Sequence, residues 1–218
     1  MYNLTTEQEN ITDSIMHDLI NPNGPREILL TGYAGTGKTF ITKVITKQLR
    51  MPFYVSAPIH KAVRVISKVT NSKGLTLHSF HGLRLNMNLE DFDINNPQFD
   101  PLGDPKCDRC RVLICDEASQ TPNGIYQLNK ARAKQFGYKV LYIGDKGQLP
   151  PSKERISKVF NIEKQYNLTE VMRQEDNNNL LHLFKFLRYD LDHNTSTAIR
   201  HMLSNKEQLS DNGDGYRI

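Results

Sequence analysis

The eight residues Gly32-Tyr33-Ala34-Gly35-Thr36-Gly37-Lys38-Thr39 constrain this chain more than any other stretch. They follow Glu27-Ile28-Leu29-Leu30-Thr31, which reads as a short apolar strand. They lead into a segment where Ile41, Val44, Ile45 and Leu49 recur at helical spacing. G-x-x-x-x-G-K-T between a strand and a helix is the P-loop pattern. Its glycines let backbone N–H groups turn inward around phosphate oxygens, and the helix N-terminus adds unpaired donors and a favourable dipole. Lys38 is spaced to reach the β- and γ-phosphates, and the Thr39 hydroxyl to ligate Mg²⁺. ATP or GTP with Mg²⁺ is therefore the expected ligand, held by Gly32, Gly35, Thr36, Gly37, Lys38 and Thr39. An ordinary glycine turn before a helix is the plain alternative, and it needs none of this spacing.

The rest of the chain alternates in the same way. Residues 7–20 read as a helix, with Ile11, Ile15, Leu19 and Ile20 near one face. Asn21-Pro22-Asn23-Gly24-Pro25 ends it. Residues 53–56 read as a strand and 60–70 as a helix. Val112-Leu113-Ile114-Cys115 is an all-apolar strand of the kind buried in a parallel sheet. A helix from Gly124 to Phe136 and a strand at Lys139-Val140-Leu141-Tyr142-Ile143 follow. Strand and helix in alternation predict an α/β fold, a mainly parallel sheet with helices on both faces. Residues 82–109 differ in texture: Asn86, Asn88, Asn95, Asn96, Pro97, Pro101, Gly103 and Pro105 break any period. They read as an inserted loop or a small hairpin subdomain. After Glu175 a helix is expected over Leu180–Tyr189, then a polar stretch, and Tyr216-Arg217-Ile218 reads as the start of another strand.

Two acidic residues, Asp116 and Glu117, close the apolar strand at Val112–Cys115. The carboxyl end of a parallel strand is where such sheets place ligands. Asp116 suits contact with Mg²⁺, directly or through water, and Glu117 suits orienting and deprotonating an attacking water. A solvated acidic strand end is the alternative. Gly144-Asp145-Lys146-Gly147-Gln148 repeats the arrangement on the next strand. Gln148 is a neutral donor and acceptor, suited to sensing the γ-phosphate or holding water. A plain strand-to-turn connection explains Gly147 and Pro150-Pro151 equally well.

In their order these motifs resemble the first RecA-like domain of a superfamily 1 DNA helicase, closest to the phage Dda-like and RecD-like branch. The resemblance covers roughly residues 4–175. It implies that Gln8, in Leu4-Thr5-Thr6-Glu7-Gln8, reads the adenine edge; by itself Gln8 reads as a helix-cap residue. It implies strand-binding motifs at Ala57-Pro58-Ile59-His60-Lys61-Ala62 and Leu77-His78-Ser79-Phe80, so that Pro58, His60, Lys61, His78, Ser79 and Phe80 become candidate DNA contacts. His60 and Lys61 would neutralise backbone phosphate, and Phe80 would either stack on a base or lie in the core. Asp116-Glu117-Ala118-Ser119 matches the family's acidic motif and Gly144 to Pro151 its coupling motif. Leu168-Thr169-Glu170-Val171-Met172-Arg173 places Arg173 where the family carries an arginine that approaches the γ-phosphate. Lys38, Glu117, Gln148 and Arg173 are the catalytic set implied. Ile59 stands where relatives often have threonine, which removes one hydrogen bond to a DNA backbone. Residues 82–109 fall where relatives carry a strand-splitting insert, with Phe92 or Phe99 as the wedge.

The domain expectation is therefore a discontinuous RecA-like ATPase unit over 1–81 and 110–175, an insert over 82–109, and a helical tail over 176–218 that leads toward a second RecA-like domain. An arginine from that second domain would complete the nucleotide site. The function expected is an ATP-dependent helicase module on single-stranded or forked duplex DNA, moving 5′ to 3′ and lacking its second motor domain, with replication or recombination proteins as further partners. A non-translocating ATP- and DNA-binding module is the alternative; a small-molecule kinase fits less well, because Asp116, Glu117 and Gln148 favour water as nucleophile.

Composition sets limits only. A net charge of +4 permits a nucleic-acid partner without demanding one. No apolar run approaches the ~18 residues of a membrane span, and Met1-Tyr2-Asn3-Leu4 lacks signal-peptide character. The cytoplasm of a bacterial or phage-infected cell is the expected location, without a membrane partner. Three cysteines do not make a disulfide framework. Cys107-x-x-Cys110 lacks two ligands for a structural zinc, His78 and His81 being nearest in sequence, so chance spacing at the insert's edge is expected.

Overall fold

The computed structural model describes residues 4–85, 99–101 and 103–170, together with Leu187, Asp190 and Thr195. The chain separates into two units, residues 1–170 and 171–218. The first holds all of the strands and helices described below.

The first helix, α1 (Thr6–Ile20), starts at a capping box. The Thr5 side chain accepts from the Gln8 amide, and the Gln8 side chain accepts from the Thr5 amide. Two donors that the helix would leave unpaired are thus satisfied. Ile15 and Leu19 enter the core, whereas Ile20 is 55% exposed, off the face its spacing suggested. Then come β1 (Glu27–Gly32), α2 (Lys38–Gln48), β2 (Phe53–Ala57) and α3 (His60–Thr70). Next are β3 (Gly74–Thr76), the single turn α4 (Leu77–Phe80), and the pair β4 (Leu83–Leu85) and β5 (Phe99–Pro101). The unit ends with β6 (Val112–Cys115), α5 (Asn123–Phe136), β7 (Lys139–Gly144) and β8 (Gln165–Leu168).

Six strands form one sheet in the order β3-β2-β6-β7-β1-β8, every pairing parallel. Strand residues alternate between two packed faces. Ile28, Leu30, Val112, Ile114, Leu141 and Ile143 meet α1, α2 and α3 through Ile15, Leu19, Ile41, Ile45 and Ile66. Leu29, Leu113, Cys115, Val140 and Tyr142 point the other way, onto α4 and α5 through Leu77, Phe80, Tyr126 and Ala133. Helices therefore cover both faces, as the alternation predicts. Each fully buried Leu or Ile contributes roughly 1.5–3 kcal/mol. The short β3, α4 and β8 carry too few residues to show a period and were not anticipated.

Within the expected insert, β4 and β5 pair antiparallel, Leu83 opposite Pro101. Phe92 lies outside the described residues, as do the side chain of Phe99 and, apart from the helical residue Leu187, the helix expected at Leu180–Tyr189. Cys107 opens a 3₁₀ turn, Cys107–Arg109, and Cys110 caps it. Both are buried in the α4–α5 face of the core.

Candidate nucleotide and strand-binding site

A wholly parallel sheet puts all of its carboxyl ends on one edge. Along that edge the topology sets, in order, His78-Ser79 after β3, Pro58-His60-Lys61 after β2, Asp116-Glu117 after β6, Gly144–Gln148 after β7, the P-loop after β1, and Thr169 after β8. Every sequence-predicted site residue among the described residues except Gln8 and Phe80 falls in this row, at the crevice where open α/β sheets bind ligands. Gln8 joins it from α1.

The P-loop takes the backbone its glycines require. Gly35 and Gly37 lie at φ 87° and 89°, left-handed values that cost other residues dearly. A Cβ on Gly37 would also collide with Nε2 of Gln8. That contact reflects a direct tie: Gln8 is buried, and its Nε2 donates to the Thr36 carbonyl at 3.1 Å. The cap reading and the site reading of Gln8 thus converge in one side chain. Its Oε1 caps α1 while its amide nitrogen holds the loop. The Lys38 ammonium spans the loop and donates to the carbonyls of Gly32 at 2.6 Å and Tyr33 at 2.7 Å. Thr36 closes the turn through its hydroxyl on the Tyr33 carbonyl, 2.9 Å. Thr39 sits in the first turn of α2.

Asp116 is anchored by its amide on the Ser56 carbonyl, 2.9 Å. Burial pushes its carboxyl up to about 6; the Glu117 backbone N–H lowers it, the Glu117 charge raises it and Lys38 lowers it. The donor set fits Mg²⁺: a carboxylate whose charge is poorly solvated, together with a hydroxyl on the P-loop helix, suits a hard, oxygen-seeking cation. Glu117 stands at φ 54°, left-handed for a residue with a side chain. Such strain costs about 1–3 kcal/mol and concentrates at functional sites. It turns the chain abruptly from β6 into the short 3₁₀ turn Ala118–Gln120. Ser119 in that turn donates to Oε1 of Gln148 at 3.4 Å, linking the acidic motif to the β7 motif. Asp145, buried, shapes the latter by accepting the Gly147 amide on Oδ1 and the Gln148 amide on its carbonyl.

At the other end of the edge Ile59, His60, Lys61 and Ser79 are exposed, with Pro58 half-buried. His78 is half-buried too, and burial lowers its imidazole. Phe80 corrects the stacking expectation. It has no exposed surface and meets the rings of Tyr54, His81 and Tyr138 edge-on at 5.2–5.7 Å, so no face is open to a base. Arg173 lies outside the described residues.

Two contributions escaped the sequence. Ser119 carried no signal of its bond to Gln148, which joins residues 29 apart. His81 is buried beneath α4 against Cys107, with Sγ 3.7 Å from Nδ1, and Arg132 donates to its carbonyl at 2.6 Å. Among the described residues no group of three or more His, Cys, Asp or Glu is arranged to hold a metal. None of their helices is long and apolar enough to cross a membrane.

A family model described as an AAA domain matches residues 3–207. The chain belongs to this family. It is a RecA-like domain of the superfamily 1 helicase type, related to the Dda, RecD2 and Pif1 proteins. This helicase-type domain is 29% identical over 152 residues to the ATP-dependent DNA helicase dda of Enterobacteria phage T4, an alignment covering 68% of this chain and 33% of the relative. It is 32% identical over 142 residues to the ATP-dependent DNA helicase Pif1 of Campylobacter jejuni, covering 62% and 31%. The domain thus spans about a third of the length of these relatives. In fold it is similar to the crystal structure of Bacteroides Pif1 in complex with ADP-AlF4, with a TM-score of 0.68 at 21% identity over all of this chain and 53% of that one.

Proposed function

We propose that this domain binds ATP with Mg²⁺ and hydrolyses it in step with movement along single-stranded DNA, as one of the two motor domains of a helicase. The observation that carries the reading is the single carboxyl edge, where P-loop, Asp116-Glu117 and Gln148 stand beside the exposed motifs after β2 and β3. The relatives named as ATP-dependent DNA helicases support it.

The roles follow from position. The P-loop amides and Lys38 hold the β- and γ-phosphates, which requires Lys38 to exchange its carbonyl partners for phosphate oxygens. Gln8 fixes the adenine side of the loop through Thr36. Thr39 and Asp116 would hold the Mg²⁺, which when bound neutralises charge on the transferring phosphoryl group. Glu117 orients a water and takes its proton as the water oxygen bonds to the γ-phosphorus and the bond to the ADP oxygen breaks. Gln148 reports the state of the γ-phosphate to the β7 loop and, through Ser119, to the acidic motif. Arg173 would add positive charge at the γ-phosphate. His60, Lys61, His78 and Ser79 would contact the backbone of the strand, with Pro58 shaping the turn. Travel is read as 5′ to 3′, with forked duplex as substrate and replication or recombination proteins as partners.

Phosphate release measured with and without single-stranded DNA tests the reading. DNA should stimulate turnover, and Glu117→Gln should keep nucleotide binding while cutting turnover on the order of 10²-fold or more. Full turnover in Glu117→Gln would remove its assignment as base. ATP binding with no DNA stimulation would favour a non-translocating binding module. Unwinding of substrates with a 5′ or a 3′ tail reads the direction.

A further inference from the structure

Glu7 has no part in the roles above, yet its carboxylate bonds to residues 162 and 163 positions away in the chain. Its carboxylate accepts the Thr169 hydroxyl at 2.6 Å, the Thr169 amide at 3.0 Å and 3.3 Å, and the Glu170 amide at 3.1 Å. Burial alone would raise its carboxyl, but the Thr169 hydroxyl and the Glu170 and Thr169 amides together hold it below the usual range. Thr169 and Glu170 are the first residues after β8, on the way to Arg173.

The neighbouring residue on the same helical turn is Gln8, which grips the P-loop at the Thr36 carbonyl. The capping box through Thr5 stiffens this turn from its other side. A third tie is steric. A Cβ on Gly32, the first P-loop residue, would lie 2.9 Å from both the Cβ and the carbonyl oxygen of Leu168, so strand end and loop start are in close contact. One turn of α1 therefore holds the P-loop with one residue and the root of the Thr169 segment with the next. A P-loop that shifts around phosphate must carry Gln8, and with it Glu7, or break those bonds.

We propose that Glu7 is a positioning residue that transmits nucleotide occupancy of the P-loop to the segment beginning at Thr169, which carries Arg173. The proposal rests on the nucleotide-site reading and deepens it. Glu7 touches no reacting atom and acts through Gln8, Thr169 and Glu170. Glu7→Gln preserves length but loses the charge and one accepting oxygen; Thr169→Val removes only the hydroxyl and serves as a second variant.

Amide hydrogen exchange over residues 165–175, with and without Mg²⁺ and the non-hydrolysable ATP analogue AMPPNP, reads the coupling directly. In the native chain AMPPNP should slow exchange at Thr169 and Glu170. In Glu7→Gln exchange there should be about tenfold faster without nucleotide, and the slowing by AMPPNP should be lost. Exchange in β7 and α5 should stay unchanged, and AMPPNP affinity should stay within about threefold of native, since the P-loop donors remain. In phosphate release, Glu7→Gln should lower kcat about tenfold with KM for ATP little changed, and adding Arg173→Ala should cost almost nothing more. Native exchange at Thr169 that ignores AMPPNP, or a Glu7→Gln variant that behaves as native, overturns the proposal. So do losses from Glu7→Gln and Arg173→Ala that simply multiply. If AMPPNP fails to bind the native chain, the nucleotide-site reading falls with it. If Arg173→Ala alone keeps full turnover, the Arg173 assignment fails and the coupling loses its target.

Discussion

The two ends of the sheet's carboxyl edge are built on different principles. At the β7–β1–β8 end, loops are fixed by hydrogen bonds, from a distance by Gln8 on Thr36 and Glu7 on Thr169, and locally by Lys38 on Gly32 and Tyr33 and Asp145 on its own turn. At the β2–β3 end, rigidity comes from below. Ala62, Val63 and Ile66 anchor α3, and Leu77 and Phe80 anchor α4, while Ile59, His60, Lys61 and Ser79 face outward. A phosphate cradle made of backbone N–H groups works best when most of its shape is in place before the ligand arrives, with only small shifts on binding. Contacts to a nucleic-acid backbone ask less: a firm base and flexible cations.

The strongest test of that contrast is Lys38→Ala. Nucleotide binding should weaken on the order of 10²-fold, the scale of a charge-assisted contact to phosphate, measured by fluorescent-nucleotide titration. Binding to single-stranded DNA without nucleotide should hardly change. An equal loss in both would mean that the two ends are not separate.

Phe80→Ala asks what the strand end stands on. It should lower unfolding stability by about 3–5 kcal/mol in denaturant titration, the cost of emptying a packed aromatic site. A variant of native stability but weak DNA binding would restore the stacking role.

Acid should reach the strand end through His81. Burial, then the nearby Arg132 and His78, depress its imidazole to about 3. The unfolded chain takes up a proton near the ordinary value of 6.5, whereas the folded chain resists until about 3. The stability His81 contributes is present above 6.5 and is lost as pH falls toward 3. Urea midpoints of His81→Asn should be flatter than native across that window, whatever the absolute stability of the variant.

Lys61→Ala carries the smallest expected effect. The DNA affinity should fall only a few-fold, and the slope of log affinity against log salt should shrink by about 1. An unchanged slope would leave Lys61 as surface charge.

The core and the phosphate loop were legible because their signals are local. Strand–glycine turn–helix lies within 22 consecutive residues, Glu27 to Gln48, and the alternating apolar runs announce parallel strands without reference to anything distant. Asp116, Glu117 and Gln148 were legible as strand ends for the same reason. What the sequence could not show is which distant residues meet. Glu7 reads as ordinary first-turn acidity, and only the fold brings Thr169 to it across 162 residues of chain. Phe80 reads equally as base stacker or core, and only the packing of Tyr54, His81 and Tyr138 around it decides. The sequence determined the longer strands and helices and the phosphate-loop pattern, since periodicity and loop composition are properties of neighbouring residues. Tertiary structure alone decided the strand order, the single working edge and the grip of α1 on both the P-loop and the exit from β8, since those depend on contacts that no short window of sequence contains.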